Sequence, residues 1–365
     1  HMKLMATPFL LYGIFEWIYY KKKNINYDNL LISLCISIIV GIIAYLVPYL
    51  IIDKFISHNM IVSISLLFLD YCFMEYLSFN KYLKDKFGQK VYKISLDGGF
   101  TCPNRDGKID TRGCIFCSKG GSGDFAQNRN LSITEQIESG KKIVEKKIKS
   151  GKYIAYFQAF TNTYAPVEIL KAKYSEAINH PDIVALSIAT RPDCLGDDVI
   201  ELLDEMNKIK PVFVELGLQT IHSDSAKYIR RGYSLEVYNE AVKKLKNIGV
   251  NIVVHIILGL PNESEEDMLE SVKYVCQSQI DGIKLQLLHI IAGTDLAKDY
   301  EKGLFKTLEF DEYVELIAKC VAIIPKNIVI HRLTGDGAKK DLIAPLWSAD
   351  KKRVLNAINK ALRES

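Results

Sequence analysis

The chain has 365 residues, 48% hydrophobic and 25% charged, with a formal net charge of +4. That length suits one large domain or one domain with an appendage, and the composition excludes a collagen, a disulfide-rich miniprotein and a wholly disordered chain. The mild basicity (pI near 8.4) permits a polyanionic partner without requiring one, whereas a mean hydropathy of +0.05 is high for so charged a chain and points to two unlike parts.

The first part is apolar. His1-Met2 reads as a cloning remnant. Phe9 to Tyr20 is apolar apart from Glu16 and ends in Lys21-Lys22-Lys23. Leu30 to Ile52 then runs 23 residues without a charge, enough to cross a bilayer of roughly 30 Å. Met60 to Leu77 is apolar apart from Asp70 and Glu75 and is followed by Lys81, Lys84, Lys86 and Lys90. Residues 1–78 are therefore expected to form an all-α hydrophobic, membrane-associated segment, and the positive-inside rule puts the rest of the chain in the cytoplasm. The alternative is a set of buried helices in a soluble cytoplasmic domain. The run LLFLDYCFMEY resembles the lead-in to the first histidine box of sterol-desaturase-type membrane oxidases, but His58 is the only histidine between Met2 and Asn179. No di-iron chemistry follows from it.

From Val91 onward short apolar runs alternate with amphipathic stretches. Strands are expected at 91–96, 153–160, 183–190, 212–219, 251–259 and 282–290, with helices near 132–149, 167–179, 197–209, 234–248 and 264–278. Strands alternating with helices of this length form βα units around a parallel sheet, and nearly unbroken apolar strands suit a sheet covered on both faces. Six units fit a partial, TIM-like (βα)6 barrel, spanning 79–305, better than a full eightfold one. A C-terminal α/β extension, 306–365, adds a helix, the strand 327–333 and a basic helix from about Asp350.

Eight cysteines in a chain without a secretory signal point to reduced thiols, and to a metal or redox site over a disulfide framework. Cys102, Cys114 and Cys117 lie in the loop after the first strand, GGFTCPNRDGKIDTRGCIFCSKGG, spaced C-x11-C-x2-C. Three thiolates leave one coordination position open, as in a catalytic site. A zinc ribbon would need a second pair or a histidine, and the nearest later candidates, His180, Cys194 and His222, lack that spacing.

With these cysteines, the chain from about Phe79 resembles a radical S-adenosylmethionine (SAM) enzyme, of the bacterial family related to the radical domain of the Elongator catalytic subunit. The resemblance implies that the three cysteines hold a [4Fe–4S] cluster whose fourth iron binds SAM, and that reductive cleavage yields methionine and a 5′-deoxyadenosyl radical. The strand-end motifs fit the same reading. QAFTNT (Gln158 to Thr163) stands where the family binds the SAM amino group. The usual glycine-rich run is missing there, so Gln158, Asn162 and nearby carbonyls must substitute. Thr190-Arg191-Pro192-Asp193 matches the family's TRPD motif, and ELGLQT implies that Glu215 meets the SAM ribose with Gln219 close by. Arg231, in RRGY, is expected on the SAM carboxylate, and Gly259 beside the adenine. Lys284 and His289, with Gly293-Thr294 and His331-Arg332, match family positions that line the substrate pocket. Each of these histidines could equally be a satisfied core residue. Cys194, directly after TRPD, is either a thiol that donates hydrogen or binds substrate, or a small buried hydrophobe. Cys35, Cys72, Cys276 and Cys320 sit in apolar segments and read as inert.

The resemblance also implies tRNA as substrate, with conversion of a carboxymethylaminomethyl group at C5 of the wobble uridine toward aminomethyl, and an external electron donor such as flavodoxin or ferredoxin; DNA is not expected. Basic stretches at Lys141 to Lys152, Lys339-Lys340 and Lys351-Lys352-Arg353 could meet phosphates. Two other readings stay open: a radical SAM enzyme acting on a small metabolite or a lipid at the membrane, and a non-enzymatic metal-binding membrane protein.

Overall fold

The computed structural model describes residues 76–365, apart from 122, 146–150, 336–338 and 365. The apolar runs of residues 1–75, with the expected membrane anchor, lie outside the described residues. Among those described, no helix is long and apolar enough to cross a membrane.

The described chain begins with α1 (Phe79–Phe87), which starts where the Ser78 hydroxyl accepts the Lys81 N–H and stops at Gly88, whose φ of +69° favours glycine. Strand β1 (Val91–Leu96) follows, then α2 (Ile133–Glu145), β2 (Lys152–Phe157), α3 (Val167–Ile178) and β3 (Ile183–Thr190). Next come α4 (Asp197–Ile209), β4 (Val212–Gln219), the short α5 (Ser223–Tyr228), α6 (Leu235–Asn247), β5 (Asn251–Leu258), α7 (Glu265–Gln277) and β6 (Gly282–Leu287). The chain ends with β7 (Ile290–Ile291), α8 (Asp295–Glu301), α9 (Phe310–Ile323), β8 (Val329–Arg332), β9 (Leu342–Ala344) and α10 (Lys351–Glu364).

Strands β1 to β6 and then β8 form one parallel sheet in chain order, an open half-barrel, while β7 and β9 pair antiparallel beside it. The alternation of strand and helix thus produces the expected parallel architecture. The strand anticipated at 327–333 is the seventh stave of the same sheet. Two strands end three residues early, one of them β6, which stops at Leu287 and not at residue 290. β2 was expected to reach Phe160 but ends at Phe157, because Phe160 turns to φ +62° and gives its N–H to the Gly121 carbonyl at 2.8 Å.

Side chains alternate across each strand, so the inner face of the barrel is built in layers two residues apart. The outward-facing set packs under the helices in the main core, which includes Leu96, Phe157, Leu186, Val214, Val254 and Leu285. The lowest inner layer, with Val91, Ile154, Ala185, Phe213 and Val253, packs on Leu83 of α1, which closes the bottom of the barrel. Two residues further along, the inner layer becomes polar. That change marks the start of the site.

Candidate active site

A cavity opens at the C-terminal ends of the strands, and it has a rim and a floor. Cys102, Cys114 and Cys117 line the rim together. Turns fix them. The Cys102 carbonyl accepts from Arg105 N at 2.8 Å, and that of Cys114 from Cys117 N at 3.0 Å. The Arg105 guanidinium then spans the loop to the carbonyls of Cys117 (3.1 Å) and Ser118 (2.6 Å). Gly113, at φ +77°, keeps clear of that guanidinium, which a Cβ would meet at 3.0 Å. Asn104 is buried beneath the loop, donating to the Arg230 carbonyl at 2.7 Å and approaching the Cys114 Sγ at 3.4 Å. Burial, with Cys117 beside it, pushes the Cys114 thiol up to about 11, so a metal has to displace its proton. The three Sγ atoms do not all lie within 4.8 Å of one another.

Gln158, Thr190, Arg191, Gln219 and Arg231 join the cysteines on this cavity, as the sequence predicts. Their partners differ from the expected ones. Arg191 forks onto Asp193 through Nε (2.9 Å) and a terminal nitrogen (2.7 Å). Arg231 has no carboxylate at ion-pair distance among the described residues. Its guanidinium donates to the carbonyls of Thr220 (2.6 Å), Tyr233 (3.0 Å) and Leu218 (3.2 Å). The Tyr233 ring lies against both arginines, 5.1 and 4.7 Å from their centres, and its hydroxyl donates to the Gly217 carbonyl. Gln219 sits at φ +73° with its buried side-chain oxygen lacking a hydrogen-bond partner among the described residues.

Three predicted site residues do not line this cavity. Asn162 is fully buried and ties the Ala189 carbonyl at 2.9 Å, which makes it a brace under the rim. Gly259 gives its N–H to the Met268 sulfur at 3.0 Å, and its φ of +86° and the nearby Leu308 explain the glycine. Cys194 faces a separate cleft lined by Pro103, Tyr164 and Asp198, and burial together with Asp193 pushes its thiol up to about 12.

The floor is the polar inner layer, and Glu215 is its centre. Oε1 of Glu215 accepts from the Lys93 ammonium and from Ser187 Oγ at 2.6 Å; Oε2 accepts from the Lys284 ammonium and from His255 Nε2 at 2.9 Å. Four donors fill the carboxylate. Glu215, expected on the SAM ribose, is thus held by the chain's own donors. Burial alone would raise its pKa, but Lys284, Lys93 and His255 hold it well below the carboxylate range. Gln286 Nε2 donates to His255 Nδ1 at 3.1 Å, which leaves Nε2 as the protonated nitrogen. Burial, with Lys284 nearby, drops His255 to about 4, so the ring is neutral. Lys284 is 5% exposed and lies over the Tyr156 ring at 4.9 Å. Burial pushes its ammonium down to about 7; Glu215 opposes the shift, and Lys93 and Arg332 add to it. His289 and Arg332 line the same cavity. Sequence reading missed Asn104, Arg105, Tyr233, Lys93 and His255. The last two show in sequence only as polar residues breaking apolar strands.

The family model of the Radical SAM superfamily matches residues 111–275, and that of the Radical SAM C-terminal domain matches 280–364. The chain is 48% identical to the uncharacterized protein YtqA of Bacillus subtilis over 287 residues, 79% of this chain and 89% of that protein. It is 30% identical to tRNA uridine(34) acetyltransferase of Methanocaldococcus jannaschii over 167 residues, 45% of this chain and 30% of the other. In fold it is similar to the archaeal Methanocaldococcus infernus Elp3 with an N-terminal deletion, at a TM-score of 0.55 and 20% identity, covering 72% of this chain and 63% of that one.

Proposed function

This chain belongs to the radical SAM superfamily, and from that premise we propose that it binds a [4Fe–4S] cluster through Cys102, Cys114 and Cys117, binds SAM beside it, and modifies the C5 substituent of a tRNA wobble uridine. The observation that carries the reading is the convergence of three cysteine thiols on one cavity at the C-terminal ends of parallel strands, where barrels of this kind do their chemistry. Bound there, the cluster and SAM would supply reductive formation of a 5′-deoxyadenosyl radical.

The chain's own residues hold and orient. Arg105 keeps the cysteine loop closed, and Asn104 directs an N–H at the Cys114 sulfur. The unmatched Gln219 oxygen suits an amino or hydroxyl donor, and Arg231 a carboxylate, both being groups that SAM carries. Ile257, Leu287 and Leu288 give the cavity apolar walls that limit water. For the substrate, support comes from the similarity to a tRNA uridine(34) acetyltransferase, which extends over under half of this chain. The uncharged run at 30–52 favours a second reading, a substrate at a membrane.

Anaerobic reconstitution with iron and sulfide should produce the visible absorption of an iron–sulfur cluster, and a reductant should then release methionine and 5′-deoxyadenosine. Wobble-nucleoside profiles of tRNA from cells with and without the gene should differ by an accumulated carboxymethylaminomethyl precursor. Unchanged profiles would remove tRNA as the substrate.

A further inference from the structure

Three basic stretches in the sequence have no part in the cavity chemistry, and the fold sends them to different places. Lys141 and Lys152 bound the first. Both bind Asp182, at 2.7 and 3.2 Å, just before β3, so they lie at the N-terminal ends of the strands, away from the cavity. The other two fall within residues 339–364, which hold seven Lys and Arg against three Asp and Glu. Lys339 and Lys340 are exposed and lead into β9, which pairs with β7. The Asp341 carbonyl there accepts the Ala292 N–H at 2.7 Å, next to Ile291 in the cavity wall.

The third stretch opens α10, and its contacts place that opening at the same end of the barrel. Helix α9 leads into β8, so it starts where the strands finish. Leu308, just before it, is 3.1 Å from the point where a Cβ on Gly259 would stand, past the end of β5. Trp347, before α10, donates its Nε1–H to the Leu308 carbonyl at 3.2 Å. The Arg353 guanidinium lies 4.4 Å from the centre of the ring of Phe310, the first residue of α9. Lys352 and Arg353, both exposed, therefore stand beside the cavity mouth. Their position does not serve the helix: a first turn of Lys351, Lys352 and Arg353 without an acid opposes the helix dipole. On the cysteine-loop side the signs alternate through Asp106, Lys108, Asp110 and Arg112, and Arg112 is tied to Asp110 at 2.9 Å.

We infer that the β9–α10 side of the mouth is the surface that grips the RNA backbone, with Lys339, Lys340, Lys352 and Arg353 on phosphates that flank the nucleotide in the cavity. This rests on the proposed tRNA reading. A base enters a cavity only by leaving its stack, and its flanking phosphates then stay at the opening. Exposed Lys and Arg are the groups that bind them. A lipid surface fits less well. The apolar face of α10, Val354, Ile358 and Leu362, is buried in the core, whereas a helix lying in a membrane needs that face free.

The test follows binding of a fluorescently labelled tRNA transcript, with uridine at the wobble position, to the reconstituted full chain with SAM over a series of salt concentrations. Each phosphate contact contributes about 0.7–0.9 to the slope of log affinity against log salt. Changing Lys339, Lys340 and Lys352 together to Gln should lower the slope by about 2 and weaken binding at low salt by about tenfold or more. A control with the same charge change at the other end of the barrel, Lys84→Gln with Lys90→Gln and Lys142→Gln, all exposed, should leave both quantities unchanged. SAM cleavage without RNA, the check of folding, should stay at the wild-type level in both proteins. If the first variant fails that check, Lys352→Gln alone should lower the slope by about 0.7–0.9. A slope unchanged at the mouth, or lowered equally by the control, overturns the inference and leaves the tRNA reading standing. Absence of RNA binding by the wild type overturns that reading and the inference with it. Salt-dependent binding to phosphatidylserine vesicles that the mouth variant loses, with its RNA slope unchanged, overturns the inference in favour of a membrane contact.

Discussion

The rim and the floor of the cavity are carried by the same parallel strands but are built in opposite ways. Rim groups come from the last residues of the strands and the loops beyond them, and several are held by backbone: turns for the cysteines, three carbonyls for Arg231. They leave unmatched polar capacity at Gln219. Floor groups come from within the strands, Lys93, Ser187, Glu215, His255 and Lys284 from five different ones, and are held by one another. Changing a rim residue should therefore remove a ligand contact with little effect on the fold. Changing a floor residue unbalances buried charge.

The largest expected effect is at the rim. Cys114→Ala should abolish cluster absorption after reconstitution and reduce SAM cleavage to background, since two thiolates cannot retain what three hold. Cleavage at wild-type level would exclude the assignment. The floor counterpart is Glu215→Gln, which keeps the shape but leaves Lys93 and Lys284 without their carboxylate. Breaking a buried ion pair from one side costs about 3–5 kcal/mol, and a loss of unfolding free energy of that size, seen as a lower denaturant midpoint, is the expected result. An unchanged midpoint would mean that the floor is not held together by charge.

The same contrast explains what could be read in the sequence. The rim was legible because its groups are close in sequence: three cysteines in one loop, TRPD and ELGLQT each at a strand end. The fold was legible because strands buried on both faces are uniformly apolar and the helices between them amphipathic. The floor was not legible as a unit, because Lys93, Ser187, Glu215, His255 and Lys284 are scattered over nearly two hundred residues and meet only through strand register. Glu215 stands out in the sequence, but the donors that fill its oxygens do not, because they come from other strands. Asn162 and Gly259, read as site residues, do not line the cavity for a related reason. A strand-end motif locates the backbone, while one residue of shift decides whether a side chain meets the cavity or braces it from beneath.

A pH series sharpens the contrast at intermediate size. Lys284 faces Glu215 from β4, Lys93 from β1, Tyr156 from β2, His255 from β5 and Arg332 from β8, and burial leaves it titrating at about 7. The folded value lies below the ordinary 10.5, so between about 7 and 10.5 the unfolded chain binds more protons, and this group's contribution to stability rises with pH across that window. Lys284→Met should flatten that rise in a denaturant series from about pH 6 to about 9; an unchanged slope would place the titrating group elsewhere.

The smallest effect is expected where the rim uses the floor's method. Asn104 is 1% exposed and ties the cysteine loop to the Arg230 carbonyl while pointing the same amide at Cys114. Asn104→Ala removes both donations. Loss of the carbonyl tie should lower stability by about 1 kcal/mol, measured on protein without iron. Loss of the N–H beside the sulfur should make the reconstituted cluster harder to reduce, because donors to cluster sulfurs favour the reduced state. A redox titration separates the two roles. If stability falls and the potential does not move, Asn104 is only a tie for the loop. If the potential falls as well, the N–H tunes the sulfur, and a buried polar group of the kind that builds the floor also sets the chemistry at the rim.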